Sequence, residues 1–328
     1  MINTDLFIAR DRCPVCASGD GKQLFSSPLT EPPVRSLLQS HHDPQGTVDW
    51  SLLEGTDYRL LECGVCGLIW QWAAPNDRMM SEIYDRMIDP AFLEKVEHER
   101  LTLASFQQIA NELAMLFSRL GKHPGDITLL DFGSGHGRWA RVARGMGARV
   151  FTTEIGEAKR EMARSIGAEV IADAEVDTMR FDIVHTEQVF EHVADPGDLF
   201  RRLSRVTAGL MKLAVPPGDT VAAALARHPF PTVSPFEKVL AGKRLTPLDY
   251  SWNAVQPLEH INCFPRSAIA RLADDHGMEI IGERRRRNLS VDLSNPASFL
   301  RSAAGAVRSL GKNLLREKGY YVLRPSKG

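Results

Sequence analysis

The 328-residue chain has no run of about 18 or more apolar residues, so no helix is expected to cross a membrane. It also lacks a charge excess. Forty basic and 41 acidic side chains leave a net charge of −1, which argues against a polyanion partner for the whole surface and leaves only local patches to consider. Met1 to Arg12 carries Asp5 and Asp11 and no apolar stretch, so no secretory leader is expected and the expected compartment is the cytoplasm. Internal repeats and low-complexity segments are absent. After residue 66 a single cysteine remains, Cys263, read as a small buried apolar side chain. What is present is ordinary for a globular protein: 43% hydrophobic and 25% charged residues. The length accommodates a catalytic domain of roughly 200 residues and something smaller.

The other four cysteines form two pairs, Cys13-Pro-Val-Cys16 and Cys63-Gly-Val-Cys66, separated by 46 residues (17–62). Two residues and a turn between thiols let both sulfurs face one point. Two such knuckles can close a tetrahedral zinc site, with Zn–S near ~2.3 Å. A redox dithiol would need only one pair. Four thiolates leave no open position on the metal, so the predicted zinc is structural. Residues 1–75 read as this zinc module, with Tyr58–Glu62 and Leu68–Trp72 as a hairpin across the second knuckle.

Residues 76–125 read as a helical connector. Helices are expected near 77–87 and 91–120, the second from Phe106, Ile109, Leu113, Leu116, Phe117 and Leu120. From 126 to 328 the pattern alternates. Strands are expected at 127–131, 149–154, 169–172, 181–185, 209–215, 278–284 and 320–323. Helices are expected at 138–146, 157–166, 197–205, 266–276 and 297–317. Such alternation gives a doubly wound, mostly parallel α/β sheet. Residues 217–257 hold six prolines and no clear period, and read as an irregular lid insertion over about 217–260.

The central signal is Asp131-Phe132-Gly133-Ser134-Gly135-His136-Gly137, after a strand and before a helix. Glycines there permit a sharp turn, and the helix start offers free N–H groups. A dinucleotide fold would want glycine at 133, 135 and 138, but position 138 is arginine. An acidic residue opening the loop suits a ligand with both ammonium and carboxylate. Glu154 ends the second strand, placed for two ribose hydroxyls, and Asp173-Ala174 follow the third, placed for an adenine amino group.

These residues resemble class I S-adenosylmethionine-dependent methyltransferases over about 126–217 and 257–284. Phe190-Glu191-His192-Val193 with Asp195-Pro196, Val215-Pro216, and Glu259-His260-Ile261-Asn262-Cys263-Phe264 also match. The cysteine segment is similar to the N-terminal module of sugar C-methyltransferases and related biosynthetic enzymes. The resemblance implies a Rossmann-like seven-stranded sheet and S-adenosylmethionine as cofactor. Asp131 and the backbone of Gly133, Ser134, Gly135 and Gly137 would hold its methionine part. Glu154 would hold the ribose, Asp173 and Ala174 the adenine, and Gln188 would line the pocket near the methyl group. A quinone O-methyltransferase group has a Glu-x-x-Glu-His metal cluster here. This chain has Gln188 in the first position, so Glu191 and His192 are read as loop braces.

An oxygen or carbon acceptor needs a base. His260 leads the candidates, with Tyr250 and His228 next, then Glu259 and His185, the last read as buried and structural. The acceptor is expected to be a small molecule, a sugar nucleotide or biosynthetic intermediate. The alternative, an RNA methyltransferase gripping its substrate with the zinc module, suits the charge poorly: residues 1–75 hold 5 basic and 9 acidic side chains, or −4. Arg284–Arg287 could bind a phosphorylated acceptor as alternating strand residues. Residues 297–328 carry 7 basic against 1 acidic side chain, +6, a candidate for peripheral contact with an anionic membrane. A monomer or homodimer is expected.

Overall fold

The computed structural model describes residues 1–44, 46–154, 157–285, 293–314 and 318–326. They pack as two compact units. One combines Met1–His98, Gln188–Phe200 and Val215–Asp275, and the other Glu99–Glu187, Arg201–Ala214 and His276–Gly328. The cysteine segment and residues 217–260 therefore belong to the same unit.

The second unit holds a seven-stranded sheet. Its strands are β1 (Thr128–Phe132), β2 (Arg149–Thr153), β3 (Glu169–Val170), β4 (Phe181–Glu187), β5 (Thr207–Ala214), β6 (Met278–Gly282) and β7 (Tyr320–Pro325). Their order is β6-β7-β5-β4-β1-β2-β3. β1 to β5 are mutually parallel, while β7 runs antiparallel to both β5 and β6. The expected mostly parallel, Rossmann-like sheet is thus present, with one reversed strand. Leu129 and Ile183 of the sheet pack with Ile109, Leu113, Leu116 and Phe117 of helix Leu103–Leu120. The expected single helix over 91–120 is two, Pro90–Arg100 and Leu103–Leu120. Thr102 separates them: it is extended, and its Oγ1 accepts from the Ser105 N–H at 3.2 Å, capping the second helix. The expected strand 278–284 stops at Gly282, where the register with β7 shifts. Arg284 and Arg285 follow the strand, so alternating sides of a sheet do not apply to them; Arg286 and Arg287 lie outside the described residues. Helix Pro296–Leu314 matches the expected 297–317 as far as the described residues reach; Arg316, Glu317 and Lys327 lie outside them.

The first unit is built on a four-stranded antiparallel sheet. Its order is Asn262–Cys263, Ile69–Gln71, Asp57–Cys63, Gly21–Pro28. The hairpin expected across the second knuckle is at its centre. Leu37, Leu38, Leu53 and Val221 are wholly buried in the core of this unit. Each such side chain contributes roughly 1.5–3 kcal/mol of transfer free energy. The helix expected near 77–87 begins as Asp77–Glu82 and widens to a π turn over Ile83–Met87. Residues 217–257 are not irregular. They form helices Val221–Arg227, Pro235–Leu240 and Pro247–Asn253. The prolines at 235 and 247 are first-turn residues behind the capping side chains of Ser234 and Thr246.

Candidate functional site

The second unit carries the glycine loop. It leaves β1 and enters helix Arg138–Gly145. Gly133, Gly135 and Gly137 all have positive φ (69°, 56° and 67°), a conformation that disfavours any side chain. The loop closes on itself through the Gly137 N–H, which donates to the Ser134 carbonyl at 2.9 Å. Glu154, just past β2, reaches into the loop. Its Oε1 accepts from the Gly135 N–H and from Ser134 Oγ, the latter at 3.1 Å. Burial holds its pKa above the ordinary carboxylate value despite those two bonds. Glu154 is thus hydrogen-bonded to the loop.

Asp131 is buried at 2% exposure. Its Oδ2 accepts from the Ala140 N–H at 3.1 Å, in the first turn of the following helix. Its Oδ1 accepts from His185 Nδ1 at 2.7 Å. Both oxygens are therefore engaged, one by the following helix and one by β4. His185 Nε2 in turn accepts from Lys212 Nζ at 3.1 Å, which requires the Nδ1–H tautomer. His185 is buried, as expected from its place inside β4. Lys212 is fully buried, ion-paired with Glu187, and 4.4 Å from the Trp139 ring. Burial lowers its pKa, and Glu187 opposes that shift. Arg285 lies 3.6 Å from Glu187 and 3.5 Å from Glu112. Sequence reading passed over Lys212 because its strand neighbours are apolar; a lysine inside a buried parallel strand was the available signal. Lys212→Met should destabilise this unit by about 1.5–3 kcal/mol, because half-buried Glu187 loses its nearest cation and keeps only Arg285 at 3.6 Å. Chemical denaturation of the full chain measures it.

Asp173 is 63% exposed by side chain and pairs with Arg202 at 3.0 Å, at the start of the short helix after β3. Ala174 beside it is exposed. Gln188 has φ 56° immediately after β4 and belongs to the first unit.

In the first unit, His260 is held by backbone geometry. Its Nδ1 donates to the Asn253 carbonyl, which leaves Nε2 as a lone pair. Burial pushes its pKa down to about 3, so the ring is neutral near pH 7. His192 meets it edge to face at 4.9 Å and donates from Nδ1 to the Glu259 carbonyl at 2.9 Å. The carboxylate of Glu191, with His192 and His260, brings three donor atoms within 4.8 Å of one another. Tyr250 is half exposed on helix Pro247–Asn253, and His228 is exposed at the end of helix Val221–Arg227.

Three residues that sequence reading missed set this turn. Gln71 Nε2 donates to the carbonyls of Gln256 and His260, both at 3.0 Å. Arg10 is buried and donates to the carbonyls of Gln71 and Ile261 and to Asn262 Oδ1, at 2.6–3.1 Å. Burial lowers its pKa to about 9. Asn262 Nδ2 donates to the carbonyls of Phe190 and Val193, at 3.0 and 2.6 Å. Near the start of the chain Arg10 reads as a solvated charge. Only the fold shows it surrounded by carbonyls.

The four thiols Cys13, Cys16, Cys63 and Cys66 lie within 4.8 Å of one another. Cys13 and Cys66 sulfurs are 3.5 Å apart, as are those of Cys16 and Cys63. The two knuckles have the same backbone. Cys13 N–H donates to Ser18 and Ala17 N–H to Cys13; Cys63 N–H donates to Leu68 and Gly67 N–H to Cys63, at 2.8–2.9 Å. Ala17 and Gly67 both take the left-handed conformation that this turn requires. Hydrogen bonding from Cys66 lowers the Cys13 thiol to about 5, and the same neighbour pair drives Cys66 upward. Four sulfurs this close cannot all ionise without a cation between them.

The methyltransferase-domain family matches residues 104–283 of this chain. Among solved structures, the plantazolicin methyltransferase BpumL in complex with SAH is 12% identical, over 75% of this chain and 93% of that one, with a TM-score of 0.45. An S-adenosylmethionine-dependent methyltransferase from Mesorhizobium loti is 16% identical over 65% and 97%, with a TM-score of 0.39. One from Archaeoglobus fulgidus is 14% identical over 73% and 100%, also at 0.39. No curated protein matches the sequence. Among the described residues, no helix is long and apolar enough to cross a membrane.

Proposed function

The chain belongs to the methyltransferase-domain family and is an S-adenosylmethionine-dependent methyltransferase, and on that premise we propose that its acceptor is a small molecule, a sugar nucleotide or another biosynthetic intermediate. The observation that carries the cofactor assignment is the loop of three left-handed glycines at the end of β1 with Glu154 bonded into it. The backbone at the helix start would take the carboxylate of the methionine part. Glu154 would exchange Ser134 and Gly135 for the ribose hydroxyls. Asp173 and Ala174 would face the adenine and Gln188 the methyl group. Asp131, with the backbone of the loop, would hold the methionine part. The sulfonium supplies an electrophilic methyl, so the protein's part is alignment and removal of the acceptor's proton. His260 has the neutral ring and free Nε2 that a base needs; Tyr250 and His228 would shape the acceptor side.

The four cysteines fit a structural zinc. A tetrahedron with Zn–S near ~2.3 Å places sulfurs roughly 3.8 Å apart, and the closest pairs are 3.5 Å apart. The net charge of −4 over residues 1–75 favours a role in folding over a grip on RNA. Residues 126–328 would carry the transfer chemistry, with 76–125 as connector and 217–260 covering the acceptor.

The test is titration calorimetry with S-adenosylhomocysteine and NADH. Binding of the first and none of the second is expected. Glu154→Ala should weaken binding by about 1.5–3 kcal/mol per lost hydrogen bond to the charged acceptor. NADH heat without S-adenosylhomocysteine heat would reverse the cofactor assignment. Acceptor class is then read from methyl transfer to a panel of sugar nucleotides against RNA.

A further inference from the structure

We propose that His41, His42 and Glu259, in the first unit, form a second metal site, for a divalent first-row transition cation of the zinc class, separate from the four thiols. Both histidines end helix Val34–His42, and Glu259 lies in the turn that Gln71 and Arg10 pin. His41 Nε2 is 2.8 Å from Glu259 Oε1, and His42 Nε2 is 3.8 Å from the same oxygen. The three donor atoms all lie within 4.8 Å of one another. Bonds of about 2.0–2.2 Å to a tetrahedral ion place neighbouring donors roughly 3.3–3.5 Å apart. The observed separations bracket that spacing.

The second observation is His42 itself. Its side chain is 0% exposed, and neither ring nitrogen has a hydrogen bond of good geometry among the described residues. The Met87 backbone hydrogen-bonds the ring, outside that geometry. A carbonyl on one side of a histidine and a free lone pair on the other is the arrangement metal-bound imidazoles adopt. A buried imidazole whose second nitrogen faces a carboxylate oxygen at 3.8 Å, too far for a hydrogen bond, costs free energy that a cation between them would recover. Two imidazoles and one carboxylate suit zinc, cobalt or iron better than magnesium or calcium. Three protein ligands leave a coordination position open, unlike the closed thiolate set. On binding, the Nε2–H that His41 now gives to Glu259 would yield to the metal, with the proton moving to Nδ1 or to solvent.

Cobalt titration of the full untagged chain, followed by absorption, tests this. Cobalt at four thiolates produces intense sulfur-to-metal charge transfer. Cobalt at two imidazoles and a carboxylate produces ligand-field bands alone. The expected result is a second equivalent that adds only ligand-field bands. His42→Gln and Glu259→Gln should each lose it and keep the thiolate signal, which also reports that the unit has folded. If the cysteines took no metal, the ligand-field bands would appear alone, so the two sites fail separately. Should a variant not fold, the wild-type protein with its thiolate site filled decides: added zinc should raise its melting temperature and added magnesium should not. No uptake beyond the thiolates, no zinc-dependent rise, or a second equivalent that survives in both variants overturns the site. The cluster would then be a His41–Glu259 ion pair beside an uncharged His42.

Discussion

Replacing Cys13 and Cys63 together by serine should remove zinc from the protein and cost the first unit its cooperative unfolding. The double change leaves one thiolate on each knuckle, Cys16 and Cys66, where a closed site takes four ligands. Zinc at such sites contributes about 10–16 kcal/mol to folding at neutral pH. A whole domain is stable by only about 5–15 kcal/mol. Loss of a zinc bound there would therefore exceed what the rest of the unit can supply. The two knuckles also anchor neighbouring chain, since Ser267 Oγ donates to the Cys66 carbonyl at 2.7 Å. Elemental analysis and thermal melts followed by circular dichroism check the result. Zinc absent from the wild-type protein, or retained in the double variant at an unchanged melting temperature, would remove the metal from the account of this fold.

The second large effect concerns His260. His260→Ala should leave S-adenosylhomocysteine affinity unchanged and lower turnover by roughly 10²–10⁴. Its ring is positioned by the Asn253 carbonyl and by the main-chain bond from Gln71, and alanine keeps the second of these. A base works in its deprotonated form, and activity falls as pH drops through its pKa. Burial lowers that value to about 3, so the acid limb of kcat/KM should lie below the usual histidine range. A bracing histidine gives a different pattern. Its removal would lower the melting temperature, reduce activity in proportion, and leave the pH profile in place. Steady-state kinetics across pH, beside a melting curve, separates the two.

Much of the sheet was legible because its strands are short, mostly apolar stretches bounded by glycine or a polar turn. β1, β2, β4 and β5 were read within a few residues. The reversed β7 was not, since Tyr320–Leu323 looks the same in either direction; orientation is set by the partner strands. The three helices in 217–257 were missed for a local reason. Pro235 and Pro247 were read as breakers, although Ser234-Pro235 and Thr246-Pro247 are a capping residue followed by a first-turn proline. The glycine loop and the thiols were visible because both are short and spaced by the chemistry they serve. The environment of His260 was not. Arg10, Gln71, Glu191 and Asn262 approach it from segments up to 252 residues apart, and such convergence exists only in the fold. His41 and His42 stayed hidden for the same reason, 218 residues from Glu259 in the case of His41.

The division of the first unit into Met1–His98, Gln188–Phe200 and Val215–Asp275 has a consequence for synthesis on the ribosome. Both knuckles emerge early, but the strand Asn262–Cys263 that completes their sheet arrives about two hundred residues later. At about 5–20 residues per second, that delay is roughly ten to forty seconds. Throughout it the nascent chain exposes the edge of Ile69–Gln71, a strand whose three residues are all buried once the unit is complete. A metal gathered by the sulfurs during that wait would keep the hairpin in register and so protect the unfinished edge from pairing with another nascent chain.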